Sequence, residues 1–171
     1  MRAVLCKEWG GPEKLVVEDV PSLLVKDGAV RIAVQAAGIN FADLLLISGQ
    51  YQEKPAFPFT PGMECSGTVT EVGASVSSLK TGDRVMALTG TGAYAEEVVI
   101  DASRVYKIPD KMDFISAAGF PVTYGTSHGA FDWRAHLQPG EWLLVFGAAG
   151  GVGLTAVEIG KAMGAHVIAC A

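Results

Sequence analysis

The chain has 171 residues, 50% hydrophobic and 18% charged, which is enough for one ordinary domain, or one domain plus part of a second, and unlike a disordered chain. Lys and Arg number 13 against 18 Asp and Glu, a formal charge of −5 with no basic run, so nucleic acid and anionic membrane surfaces are excluded as main partners. No apolar stretch approaches the roughly 20 residues of a membrane span, and Met1 to Lys7 reads as a strand rather than a leader, so the expectation is a cytoplasmic protein.

In chain order, the first half reads as short extended runs: Ala3 to Lys7, Leu15 to Val20, Val30 to Ala36, Cys65 to Val72 and Arg84 to Leu88. Between them stand Gly10-Gly11-Pro12, Pro21-Ser22, Lys26-Asp27-Gly28 and Thr81-Gly82-Asp83, each offering a positive φ or a fixed-φ proline. Strands at this spacing predict a barrel or sandwich. One helix interrupts them, Phe41 to Ser48, with Asn40 as N-cap and Gly49 as terminator. A loop from Tyr51 to Gly62 follows, stiffened by Pro55, Pro58 and Pro61. The last strand of this half is predicted at Tyr94 to Ile100.

Helices are then expected at Met112 to Ala118 and Val122 to Ala135, separated by Pro121. The domain boundary is placed there, giving domains 1–121 and 122–171. From Trp142 the text becomes a β-α-β unit: strand Trp142 to Phe146, a glycine turn, helix Leu154 to Met163 and strand His166 to Ala169. Neither strand alternates, as expected of a parallel sheet covered on both faces. Cys6, Cys65 and Cys170 are widely spaced, with no disulfide framework and no CxxC motif, and are expected to be buried thiols.

The turn from Gly147 to Gly153 carries the sharpest chemical signal. Read as A-x-G-x-x-G, Ala148 opens the turn, Gly150 lets a pyrophosphate near the backbone, and Gly153 lets the helix pack against the strand. Free amides and the positive dipole end at a helix start favour an anion without any basic side chain. Ala148, Ala149, Gly150, Gly151, Val152 and Gly153 are therefore assigned to a dinucleotide; the alternative is a purely structural strand-to-helix turn. The ribose reader of this motif would fall about 20 residues further on, past Ala171. NADP is the expected cofactor and NAD stays open.

The pieces Ala37-Gly38-Ile39-Asn40-Phe41-Ala42-Asp43, Gly49-Gln50-Tyr51, Pro61-Gly62-Met63-Glu64-Cys65-Ser66-Gly67, Glu71-Val72-Gly73, Gly82-Asp83-Arg84-Val85 and Gly147 to Gly153 span nearly the whole chain. In that order they resemble the N-terminal half of the medium-chain dehydrogenase/reductase superfamily, and within it the zinc-independent quinone oxidoreductases of the zeta-crystallin type. Gly49 to Lys54 followed by Pro58 to Glu64 looks most like the quinone oxidoreductase-like protein 2 branch. The resemblance implies a mixed β and α/β fold, a GroES-like β-barrel followed by the first β-α-β unit of a Rossmann domain, with cofactor and substrate in the cleft between them. It also implies a homodimer for the complete protein.

By the same resemblance, Asn40 stands where the zinc alcohol dehydrogenases have a cysteine, and Met63 where they have a histidine. Met86 to Gly92 replaces their four-cysteine lobe. An amide and a thioether are poor Zn²⁺ ligands, and His128, His136 and His166 form no i, i+4 pair, so no metal is expected. Without a Lewis acid, an electron-poor quinone or enone is the natural hydride acceptor, since it spreads the incoming charge over its own oxygens. An enoyl-thioester reductase and a non-catalytic cofactor-binding module are the rival readings. The resemblance implies Asn40 and Tyr51 in the substrate cleft, as the catalytic pair, and Thr123 beside the nicotinamide. Each also has a structural reading: helix cap, loop anchor and start-of-helix hydroxyl. Asp43 and Glu64 are read as holding structure or orienting neighbours rather than exchanging protons.

Overall fold

The N-terminal ribbon pairs β1 (Arg2–Leu5) antiparallel with β2 (Val16–Asp19), and β1 buries Ala3 and Leu5 on one side. A five-stranded antiparallel sheet follows. Its members are β3 (Ala29–Ala37), β4 (Glu64–Val72), β5 (Arg84–Leu88), β6 (Glu97–Asp101) and β7 (Val105–Lys107), in the order β6-β3-β4-β5-β7. Alternation drives the pairing: Val30 and Ile32 of β3, Val85 and Ala87 of β5 and Val98 and Ile100 of β6 all point into one core with Cys65 and Val69 of β4. The computed structural model describes every residue, Met1–Ala171.

Between β3 and β4 lies α1 (Phe41–Ile47), which buries Asp43, Leu46 and Ile47. After β7, Asp113 caps α2 (Phe114–Ala118) by accepting from the Ser116 N–H at 2.8 Å, so this helix begins two residues later than Met112. The approach to α2 is held by Arg84, which donates to the carbonyls of Pro109, Asp110 and Met112 at 3.3, 2.8 and 2.5 Å and lies 4.6 Å over the Phe114 ring. These elements form one unit, Met1–Gly119; Phe120–Ala171 forms a second.

In the second unit, α3 (Phe120–His128) continues into a π-helical stretch, Gly129–Ala135. Pro121 does not separate two helices as expected; it sits in the first turn of α3, where its missing N–H costs nothing. Then β8 (Trp142–Phe146) and β9 (His166–Cys170) pair in parallel around α4 (Gly151–Ala162). The core here gathers Phe131, Leu137, Val145, Ala156 and Ala165. Trp142, Leu144, Phe146 and Ile168 are exposed, so these two strands are not covered on both faces.

Other expectations change at the edges. The strand predicted at Tyr94 to Ile100 begins only at Glu97, because residues 94–96 bond to β1 instead: the Val4 N–H donates to Tyr94 O at 2.9 Å and the Glu96 N–H to Arg2 O at 3.0 Å. Helix α4 starts at Gly151 rather than Leu154, since glycine is tolerated in a first turn that needs no side chain. Cys6 and Cys65 are buried, but Cys170 on the two-stranded sheet is only half-buried. No helix is long and apolar enough to cross a membrane.

Candidate functional site

At the start of α1, Asn40 takes extended backbone (φ −117°, ψ 150°), and its two donors reach two buried carboxylates. The Asn40 N–H donates to Asp43 Oδ2 at 2.8 Å, and the side-chain amide Nδ2 donates to Glu64 Oε1 at 2.9 Å. Asp43 lies on α1 and Glu64 opens β4, so a helix and a strand meet at one asparagine. Tyr94 completes the group: its hydroxyl lies 2.9 Å from Asp43 Oδ2 and 3.2 Å from the Gly38 carbonyl. Asp43 Oδ1 is buried without a hydrogen-bond partner.

The electrostatics follow from burial and from the two acids. The Tyr94 phenol is pushed well above its ordinary range, first by burial and then by its bond to Asp43. The Cys65 thiol is raised to about 12 by burial and by the Glu64 charge. Both groups are held neutral at physiological pH.

Tyr51 is half-buried beyond the end of α1, its N–H donating to Leu45 O at 3.0 Å; no hydrogen bond joins it to Asn40. Met63 is buried beside Glu64. No group of three or more His, Cys, Asp or Glu side chains is arranged to hold a metal ion.

In the second unit the run Ala148 to Gly153 forms one turn between β8 and α4. The left-handed residue that opens it is Gly147 (φ 65°), not Ala148; Ala148 is buried, its N–H donating to Cys170 O at 2.9 Å. The turn closes with Gly150 N–H to Gly147 O at 3.0 Å, and Gly150 is the N-cap of α4. Gly151, Val152 and Gly153 are the first three residues of α4, whose amides have no partner within the helix. Ala149, Gly150, Gly151 and Val152 are exposed.

The glycines differ in what a Cβ would meet. At Gly153 it would lie 2.1 Å from Gly147 O, so the helix touches the turn backbone directly. At Gly150 the nearest atom is Gly147 O at 3.4 Å, an ordinary contact with open space beyond. At Gly151 it would meet Thr123 Cγ2 at 3.2 Å, so Thr123 of α3 flanks the turn. Beneath it, buried Ser127 and Thr155 hydroxyls lie 2.8 Å apart.

Sequence reasoning missed Tyr94, Ser127 and Thr155. Tyr94 meets Asp43 across 51 positions, and Ser127 meets Thr155 across 28. The local signal was Thr155, a hydroxyl between the apolar Leu154 and Ala156 of α4.

The alcohol dehydrogenase GroES-like domain family matches residues 26–110. Quinone oxidoreductase-like protein 2 from Bos taurus is 47% identical over 171 residues, covering 99% of this chain and 48% of that protein. Among solved structures, the human synaptic vesicle membrane protein VAT-1 homolog-like protein superposes with a TM-score of 0.94 at 39% identity, over 98% of this chain and 54% of that one. The quinone oxidoreductase of Thermus thermophilus, also solved in complex with NADPH, gives 0.86 at 37% identity over 98% and 52%. The chain spans about half the length of the relatives it matches.

Proposed function

This chain belongs, through its alcohol dehydrogenase GroES-like domain, to the medium-chain dehydrogenase/reductase oxidoreductases and is a relative of the quinone oxidoreductases over the first half of their length, and from that premise we propose that it supplies the substrate-side barrel and first cofactor-binding turn of an NAD(P)H-dependent, zinc-free reductase of quinones or activated enones. The observation that carries the reading is the turn between β8 and α4. The first-turn amides of a 12-residue helix and the uncovered backbone at Gly150 fit a pyrophosphate, which needs close approach and positive dipoles rather than a cation. The NADPH complex of the Thermus relative favours NADP over NAD.

When bound, the nicotinamide supplies the hydride. The chain's own residues supply binding and orientation. Gly150 to Gly153, with Ala148 and Ala149, would hold the pyrophosphate, and the Thr123 hydroxyl would lie beside the nicotinamide. Asn40 would face the acceptor with the second Nδ2 proton, the one not given to Glu64; Tyr51 would add a phenol. Neither brings charge, which suits an acceptor that carries the added electrons on its own oxygens. At the positions of the zinc ligands this chain offers Asn40 and Met63, an amide and a thioether, which fit Zn²⁺ poorly. The complete protein is proposed to work as a cytoplasmic homodimer.

Steady-state assays of the full-length protein with NADPH, quinones and enoyl thioesters test the reading, beside metal analysis without chelator. Quinone turnover without stoichiometric zinc is expected. Faster turnover of enoyl thioesters would reassign the acceptor, tight cofactor binding with no turnover would favour a binding module, and one firmly held Zn²⁺ per chain would end the zinc-free assignment.

A further inference from the structure

The two halves of the proposed cofactor site in the second unit are tied by a buried pair of hydroxyls. Ser127 lies on α3 and Thr155 on α4, 2% and 5% exposed, with their oxygens 2.8 Å apart. Ser127 Oγ lies 2.9 Å from the Val152 carbonyl; Thr155 Oγ1 lies 3.0 Å from the same carbonyl and 3.1 Å from the carbonyl of Thr123. Two hydroxyls bring two protons. One proton lies between the two oxygens and the other reaches a carbonyl across the helices, in the chain Ser127 to Thr155 to Thr123 O or the chain Thr155 to Ser127 to Val152 O.

Each carbonyl belongs to a residue of the proposed site. Val152 is in the first turn of α4, among the amides that would meet the pyrophosphate, and Thr123 is in the first turn of α3. Directly above, Thr123 Cγ2 lies 3.2 Å from the Cβ position of Gly151, so the two helices touch at the turn and are bonded beneath it. An apolar pair would pack these helices as well. A hydroxyl pair adds direction, because a buried hydrogen bond between the helices has a defined geometry, and a buried hydroxyl that loses its partner is left unsatisfied.

We propose that Ser127 and Thr155 are positioning residues that lock the Thr123 hydroxyl and the Gly151 to Gly153 amides into one register for NADPH. The inference rests on the reading above that these groups hold the cofactor. It assigns neither residue a contact with the cofactor.

The test uses the full-length protein, titrated well below its melting temperature with NADPH and, separately, with adenosine 2′-monophosphate, which carries neither pyrophosphate nor nicotinamide. Thr155→Val and Ser127→Ala are each expected to weaken NADPH binding about three- to tenfold, the weight of one hydrogen bond, and to leave the adenosine fragment unaffected within about twofold. Thr155→Ser keeps the hydroxyl and is expected to restore NADPH affinity. NADPH binding unchanged in both variants, equal weakening of both ligands, or failure of Thr155→Ser to rescue would overturn the positioning role. A parent protein that binds no NADPH at all would overturn the functional reading first, and the inference with it.

Discussion

Glu64 accepts from Asn40 Nδ2 at 2.9 Å while its own carboxylate oxygen lies 2.3 Å from where a Cβ on Gly38 would stand. The carboxylate therefore needs a glycine on β3's exit in order to reach the asparagine that opens α1. This fixes the orientation of the Asn40 amide, because only the nitrogen can face a carboxylate. In the full-length protein, Asn40→Ala and Tyr51→Phe are expected to lower quinone turnover by about tenfold or more, roughly 1.4 kcal/mol of lost orientation, with NADPH affinity within a few-fold. Steady-state kinetics beside cofactor titration check it; unchanged turnover in both variants would return Asn40 to a cap and Tyr51 to a loop anchor.

Gly150 and Gly153 should separate binding from folding. A side chain at Gly153 meets the Gly147 carbonyl at 2.1 Å, backbone that cannot step aside, so Gly153→Val is expected to cost about 1 to 3 kcal/mol from overpacking. Gly150→Val has room and should melt close to the parent, but covers the backbone that the pyrophosphate would approach. Thermal melting and NADPH titration of both variants decide it, and identical behaviour in both measurements would leave the turn a structural one.

Alkaline pH should loosen the first unit. The Cys65 thiol titrates near 12 in the fold and near its ordinary value of about 9 when unfolded. Its protonated form is thus favoured by folding, so this stability is complete below about pH 9 and drains away as pH climbs toward about 12. Tyr94, also raised, adds in the same direction above about pH 10. Melting temperature should fall across this range, less steeply in Cys65→Ala. A thiol reagent at neutral pH should label half-buried Cys170 in the native chain and reach Cys6 and Cys65 only on unfolding.

The 171-residue chain by itself should associate. Trp142, Leu144, Phe146 and Ile168 are 73%, 51%, 78% and 47% exposed on the two-stranded sheet, and each forgoes up to about 1.5 to 3 kcal/mol of burial. Light scattering and dye binding are expected to report self-association. A monodisperse monomer that turns over quinone with micromolar NADPH affinity would refute this.

Much of the fold was legible because its strands announce themselves by composition. Arg84–Leu88 and Trp142–Phe146 match the sequence reading residue for residue. Val105–Lys107 was missed because three residues are too few to show a period. Helix α4 was started late because glycines read as breakers, although a first turn accepts them. At the site, the glycine turn was legible because its chemistry lies in one unbroken run. The Asp43–Tyr94 and Ser127–Thr155 pairs were not, since each joins residues whose proximity is created only by the fold.

Arg84 has a consequence for how the strap ahead of α2 withstands its surroundings. Its partners are neutral carbonyls and an aromatic face, and a guanidinium does not lose its proton in the working range of proteins. The tether therefore has no carboxylate partner, unlike Arg31 with Glu71 and Glu97, and salt has no second ion to screen. Guanidinium denaturant is its closest chemical mimic, offering the same planar, charged donor to the same oxygens, whereas the donor that urea offers is neutral. Residues 108–114 should consequently be released early in guanidinium, while urea at equal global destabilisation leaves them clasped.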